Sequence, residues 1–299
     1  MARPYRRTVS FQNPTPNPNP NLILIPKSKH VRSISLPCGR THPLIPQLRD
    51  QFTDLRSRSG PGRVVDGLTR LKSVLDSFDD VLQLPQTLDS LSSKTDVVER
   101  LLEDFLTFVD VYEVFHVSML GLKQEVSSAQ MGIRTMDGSN LGLYVKAQKK
   151  IGSEISKLIS TLESTTTATD EEFHDELGGV INDVHQLVVS VSKTVFDSVS
   201  GSLGPGRKPV WAGFGVGKKD GGGGGVEEIV EVVKGVEKLM ESKKKKKKDK
   251  KEKEEMKREV LKRMHEMEEC VGEFERVGER VFRSLITTRV SLLNILTHA

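Results

Sequence analysis

Apolar side chains return every three or four positions through most of this chain, the period of an α-helix with one face turned to a core. Leu48, Phe52 and Leu55 stand at i, i+4 and i+7 and predict a helix from Pro46, stopped by Gly60-Pro61-Gly62. Leu68, Leu71, Leu75, Phe78 and Leu82 predict a second, ended at Pro85 because a proline inside a helix costs about 3 kcal/mol. So short a turn should lay the two antiparallel.

The widest stripe runs from Thr95 to Gln130, with Thr95 and Asp96 as expected N-caps. Val98, Leu101, Leu102, Phe105, Phe108, Val109, Tyr112, Phe115, Met119, Leu122 and Val126 fill over half its circumference, so this helix needs neighbours on more than one side and is the expected centre. Gly138-Ser139-Asn140 reads as a turn and cap before a fourth stripe, Leu141, Tyr144, Ile151, Ile155, Leu158, Ile159 and Leu162, ended by the hydroxyl run Ser164 to Thr169. The fifth, from Phe173 to Val199, is rich in valine, yet its period is 3.6, and period outranks propensity.

Beyond a glycine-rich stretch, Ile229, Val233, Val236 and Met240 begin a last helical region, resumed after a charged segment by Met264, Met267, Val271, Phe274, Val277, Val281 and Leu285. Unbroken to Leu296 it would span about 105 Å, so a break near the lysines is expected. No segment alternates with period 2 and no fixed repeat appears. The expected class is therefore all-α: an antiparallel helical bundle with long C-terminal helices and a disordered N-terminal tail.

Composition divides the chain. The first 49 residues carry eight basic side chains and no acidic one, and nine of the thirteen prolines precede residue 47. Residues 1–43 are expected to be a disordered, basic, Pro/Asn-rich tail, with an organelle transit segment as the alternative. Residues 44–200 form the expected bundle core. Residues 201–225, with eleven glycines, two prolines and the only tryptophan, Trp211, read as a linker, and 226–299 as C-terminal helices packing on the core. No uninterrupted apolar run approaches the roughly 18 residues of a membrane span, and Leu22-Ile23-Leu24-Ile25 is too short for a secretory signal. Cys38 and Cys270 exclude a disulfide-dense scaffold. The expected setting is intracellular and cytoplasmic, with a plastid as the alternative.

The charge is uneven too. Lys243, Lys244, Lys245, Lys246, Lys247 and Lys248 are consecutive, and residues 242–263 hold thirteen basic against five acidic side chains, +8 in a chain of net +4. The remainder is therefore net −4. A solvated segment is the first reading of the lysine run; contact with a partner or weak contact with an anionic membrane is the second. Aromatic interleaving and groove-reading side chains are lacking, so no specific nucleic acid is expected.

Other motifs fail on spacing. Gly213, Gly215, Gly217 and Lys218 do not make a phosphate loop, because Ala212 stands where its first glycine belongs and Lys219 where its hydroxyl belongs. His265-Glu266-Met267-Glu268-Glu269 lacks the second histidine of a zinc-protease helix. His174 and His185, eleven residues apart, stand about 16 Å from one another on a helix and cannot share an ion. No catalytic residue, metal ligand or cofactor site is expected. Met240, Met256, Met264 and Met267 read as core filling.

His30-Val-Arg-Ser-Ile-Ser-Leu-Pro37, with Arg40-Thr-His42-Pro43 and Leu48-Arg49, resembles the opening block of a plant-specific helical family of unknown function related to the BYPASS proteins. Leu285-Ile-Thr-Thr-Arg289-Val-Ser-Leu-Leu-Asn294-Ile-Leu-Thr-His298 resembles its closing helix, so the likeness covers about residues 30–299. It implies an all-α plant protein, with the BYPASS branch linked to root and shoot development through restraint of a mobile root-derived signal. It brings no catalytic residues, and the Asn-Pro tail and the expansions around 201–256 depart from it. Two functions follow as expectations: a non-enzymatic interaction or regulatory protein with a protein partner, or an enzyme or small-molecule binder acting on a signalling metabolite.

Overall fold

The helical period is realised almost everywhere. A computed structural model describes residues 42–57, 64–135, 138–165, 176–204, 226–244 and 250–298. Among these, 95% are helical and none is in a strand. The helices are α1 (Leu44–Ser57), α2 (Val64–Leu82), α3 (Pro85–Ser92), α4 (Thr95–Arg134), α5 (Gly138–Glu163), α6 (Glu176–Leu203), α7 (Glu227–Lys244) and α8 (Lys250–His298). The expected N-terminal tail up to residue 41 and the linker at 205–225 lie outside the described residues.

Three helices, α4, α6 and α8, thread one continuous apolar core. Toward one end, α2 packs on α6 and α8, with α1 against α2 and α6; toward the other, α5 packs on α4 and α6, and α7 on α8. α4 is central, as its wide stripe requires, burying Val98, Leu101, Phe105, Phe108, Tyr112, Phe115, Met119, Leu122 and Val126. Its ring contacts run into both neighbourhoods: Phe105 stacks on Phe78 of α2 at 6.2 Å, and Phe115 meets Phe196 of α6 at 4.7 Å. The valines of α6 (Val180, Val184, Val188, Val195 and Val199) are buried along a helix, so burial at period 3.6 overrides their strand propensity.

Pro85 both follows one helix and opens another. It occupies the first position of α3, where a missing N–H breaks no hydrogen bond, and Leu84 before it is extended at φ −69° and ψ 137°, the conformation a following proline imposes. An eight-residue helix carries too few turns for its stripe to stand out in sequence. The N-cap of α4 is Lys94, without a side-chain cap bond, rather than Thr95 or Asp96. Asp96 sits instead in the first turn, where it meets the positive end of the helix dipole.

The apolar run also needs correcting. By length and mean hydropathy, α4 alone among the described helices could cross a membrane, although charges interrupt its run. A helix with neighbours on several sides needs much the same composition. Only 44% of that stretch is buried, however, so the core does not use all of it.

α7 and α8 form an antiparallel pair. A Cβ on Gly235 would lie 3.0 Å from Val260, so glycine there permits close approach, and Arg263 binds Glu231 at 3.1 Å. The chain thus reverses between Lys244 and Lys250, where the charged segment lies.

Candidate functional site

Few polar groups enter the core, and several of them are partnered one to one. The Tyr112 hydroxyl and Ser192 Oγ lie 2.7 Å apart, and the Tyr144 hydroxyl points at Met267 Sδ at 3.7 Å. Burial pushes both phenols well above their ordinary range, so both stay neutral. Gln148 Nε2 donates to the Leu203 carbonyl at 2.8 Å and closes the end of α6. The Val226 N–H donates to Ser202 Oγ at 2.8 Å, which brings together the described ends flanking residues 205–225.

His185 is buried, with Nε2 3.3 Å from Asp104 Oδ2 and its ring 5.2 Å from that of Phe108. The carboxylate lies off the N–H direction, so neither ring nitrogen makes a hydrogen bond. His174 lies outside the described residues. His265 is 71% exposed and faces Glu268 and Glu269 at 4.0 and 3.6 Å. Among the described residues no group of three or more His, Cys, Asp or Glu is placed to hold a metal.

Two open clefts lie among the described residues. The larger lies between α4, α7 and α8, lined by Lys123, Glu228, His265, Glu268, Cys270 and Arg276 among others. Two of its polar groups are engaged by residues beside it: Lys123 binds Glu275 at 3.0 Å, and Glu268 accepts from Ser127 and Gln130 at 3.2 and 3.1 Å. The smaller lies between α4 and α5, beside Glu125, Leu143 and Lys146. Neither converges polar groups on one enclosed point.

The lysine run falls between α7 and α8. Lys243 and Lys244 end the backbone of α7, while Lys245, Lys246, Lys247 and Lys248 lie outside the described residues.

A surface that sequence reasoning missed is the outer side of α4 and α8. Leu106, Asp110, Glu113, Val117, Leu120 and Gln124, separated by alternate steps of four and three, share one exposed line on α4. Val117 is 60% exposed, and Leu106, Val114 and Leu120 about 40% each. Glu103, Asp110 and Glu113 make no ion pair among the described residues, and α4 carries no Lys or Arg between Arg100 and Lys123. Beside this line, α8 exposes Arg276, Arg280, Arg283, Ile286, Val290 and Leu293.

The two helices are antiparallel, and their register is set by close contact: a Cβ on Gly278 would lie 3.2 Å from the Phe115 ring. On the other flank of α8, Ser284 donates to Asp76 at 2.7 Å and Ser291 to Asp79 at 2.5 Å. Stepping outward from Phe115 and Gly278 at equal rise brings Glu113 level with Arg280, Asp110 with Arg283 and Leu106 with Thr287. The alternating four-three spacing, opposite the core stripe, was the signal available in sequence.

A family model described as Protein BPS1 matches residues 67–295, from α2 to the last turn of α8. The closing block at Leu285–His298 falls almost wholly inside that span, whereas the opening block at 30–49 precedes it. No curated protein and no solved structure matches the chain.

Proposed function

The chain belongs to the Protein BPS1 family, a plant family of unassigned molecular function, and from that premise we propose that it works as a non-enzymatic helical interaction protein. The setting proposed is root and shoot development inside the cell, as the BYPASS resemblance implies. The observation that carries the reading is the outer line of α4, where Leu106, Val117 and Leu120 stay exposed beside carboxylates without partners. Exposed apolar rows rimmed by charge mark contact surfaces. The openness of the two clefts supports it further, because an enzyme or metabolite binder needs an enclosed pocket with converging polar groups.

Affinity purification of the full chain from plant tissue tests this. The expected result is a protein partner held by the natural chain and lost on Val117→Glu with Leu120→Glu. A small molecule retained in place of a protein, or a partner indifferent to both substitutions, would overturn the reading. The lysine run is proposed as an accessory, weak and salt-sensitive contact with anionic surfaces.

A further inference from the structure

We infer that the groove between the outer sides of α4 and α8 seats an amphipathic helix of a partner protein, one with an aliphatic seam, lysine or arginine along the flank toward α4 and a carboxylate on the flank toward α8. The inference rests on the interaction reading above and names the partner's chemistry. Lys123 of α4 and Glu275 of α8 pair at 3.0 Å and tie the two helices together at one end of the groove. Counting back from Lys123 in alternate steps of three and four reaches Leu120, His116, Glu113, Val109 and Leu106. Counting on from Glu275 in steps of four and three reaches Glu279, Phe282, Ile286, Arg289 and Leu293. Steps of that pattern hold to one line on a helix, so the two lines that meet at this ion pair run side by side along the groove.

Away from Lys123 the groove is apolar. Val109 and Phe282 are half-buried against the core and form its floor, while Leu106, Ile286, Val290 and Leu293 stand 38% to 48% exposed around them. Two antiparallel helices leave a trough between their ridges, and a third helix fills it with side chains three and four apart, the spacing that both lines already carry. No strand edge is present among the described residues to pair with an extended peptide. From Leu106 to Leu120 is about 21 Å, four turns of such a helix.

Charge sets the flanks. Glu103, Asp110 and Glu113 border the groove on α4 with no ion pair among the described residues, and no Lys or Arg of α4 between Arg100 and Lys123 answers them. On the α8 side, Arg289 has no ion pair among the described residues, and its Nε is buried without a hydrogen bond. A helix with cations toward α4 and a carboxylate toward Arg289 answers both walls, whereas flanks of one sign leave one wall unmatched. An anionic leaflet is a poorer cover, because Glu103, Asp110 and Glu113 would face its charge. Four turns make a small contact, so the complex is transient and salt-sensitive.

Benzoylphenylalanine in place of Leu106 of the full chain, and in a second preparation in place of Ile286, tests this by photo-cross-linking in plant tissue and sequencing of the linked peptide. Both positions should link to one stretch of another protein, with aliphatic residues three and four apart, Lys or Arg along one flank and Asp or Glu on the other. Made as a free peptide, that stretch should bind the natural chain and lose about tenfold or more in affinity on Asp110→Lys with Glu113→Lys, with thermal unfolding unchanged. Replacing the peptide's basic flank by glutamate should restore binding to that variant. A lipid adduct, a peptide of this chain itself, a linked stretch without that pattern, no adduct, or an affinity indifferent to the charge reversal would overturn the inference. The interaction reading survives such a failure if a protein partner lost on Val117→Glu with Leu120→Glu is still recovered, and falls with it if none is.

Discussion

On its inner side α4 presents Phe105, Phe108, Tyr112, Phe115 and Met119, all buried; on its outer side Leu106, Val114, Val117 and Leu120 remain 40% to 60% exposed. The two sides differ in what accompanies the apolar groups. Inside, rings interlock at 4.7 to 6.4 Å, and the one hydroxyl among them is matched by Ser192. Outside, Asp110 and Glu113 occupy the same line as the apolar residues, and burying carboxylates without partners would cost several kcal/mol each. Hydrophobicity recruits a helix into a core, but unmatched charge decides which side stays open.

The largest test of that contrast is Phe108→Ala, which should destabilise the chain by about 3 to 5 kcal/mol in chemical denaturation. An unchanged midpoint would erase the distinction between the sides. Ser202→Ala should cost about 1 to 3 kcal/mol, because it removes the acceptor to which the buried Val226 N–H donates. A loss below that range would mean the α6 to α7 closure is held elsewhere.

Tyr112→Phe should cost about 1 kcal/mol, and it carries a pH signature. Because the native phenols of Tyr112 and Tyr144 hold their protons above the ordinary value near 10, the unfolded chain releases protons first as pH rises. Their contribution is complete below pH about 10 and is lost as pH climbs through the native values. Tyr112→Phe with Tyr144→Phe should flatten the alkaline limb of stability against pH; an equally steep limb would place its origin in other groups. Val117→Ser, on the outer side, should move stability by no more than about 0.5 kcal/mol while weakening the hold on a protein partner. Replacing Lys243 to Lys248 by glutamine should leave the melting midpoint unchanged and abolish any vesicle binding, which in the natural chain should decline from 50 to 200 mM salt.

Much of the architecture was legible one helix at a time. The stripes at Leu68 to Leu82, Val98 to Val126, Leu141 to Leu162 and Ile229 to Met240 each became a helix, and the width of the second marked the centre. The helix at Pro85–Ser92 was not legible, because two turns of periodicity resemble a loop. The charged interruption after Met240 became the reversal between α7 and α8, where a long chain of like charges gains little from continuing as one helix. The candidate face was the least legible part. Leu106, Val117 and Leu120 fall outside the core stripe read from the sequence, and only the placing of the other helices around α4 shows that they stay exposed.

The apolar period followed from sequence, because it is a property of one helix and its own backbone, with side chains 100° apart. Which arc of α4 is covered, which helix runs antiparallel to it, and which residues of α8 stand level with Asp110 depend on contacts between segments far apart in the chain. Gly278 against Phe115 sets that height, and Asp76 and Asp79 against Ser284 and Ser291 hold α8 on its other flank. Those contacts exist only once the helices are assembled, because a stripe records that a surface prefers to leave water and carries no address for the surface it meets.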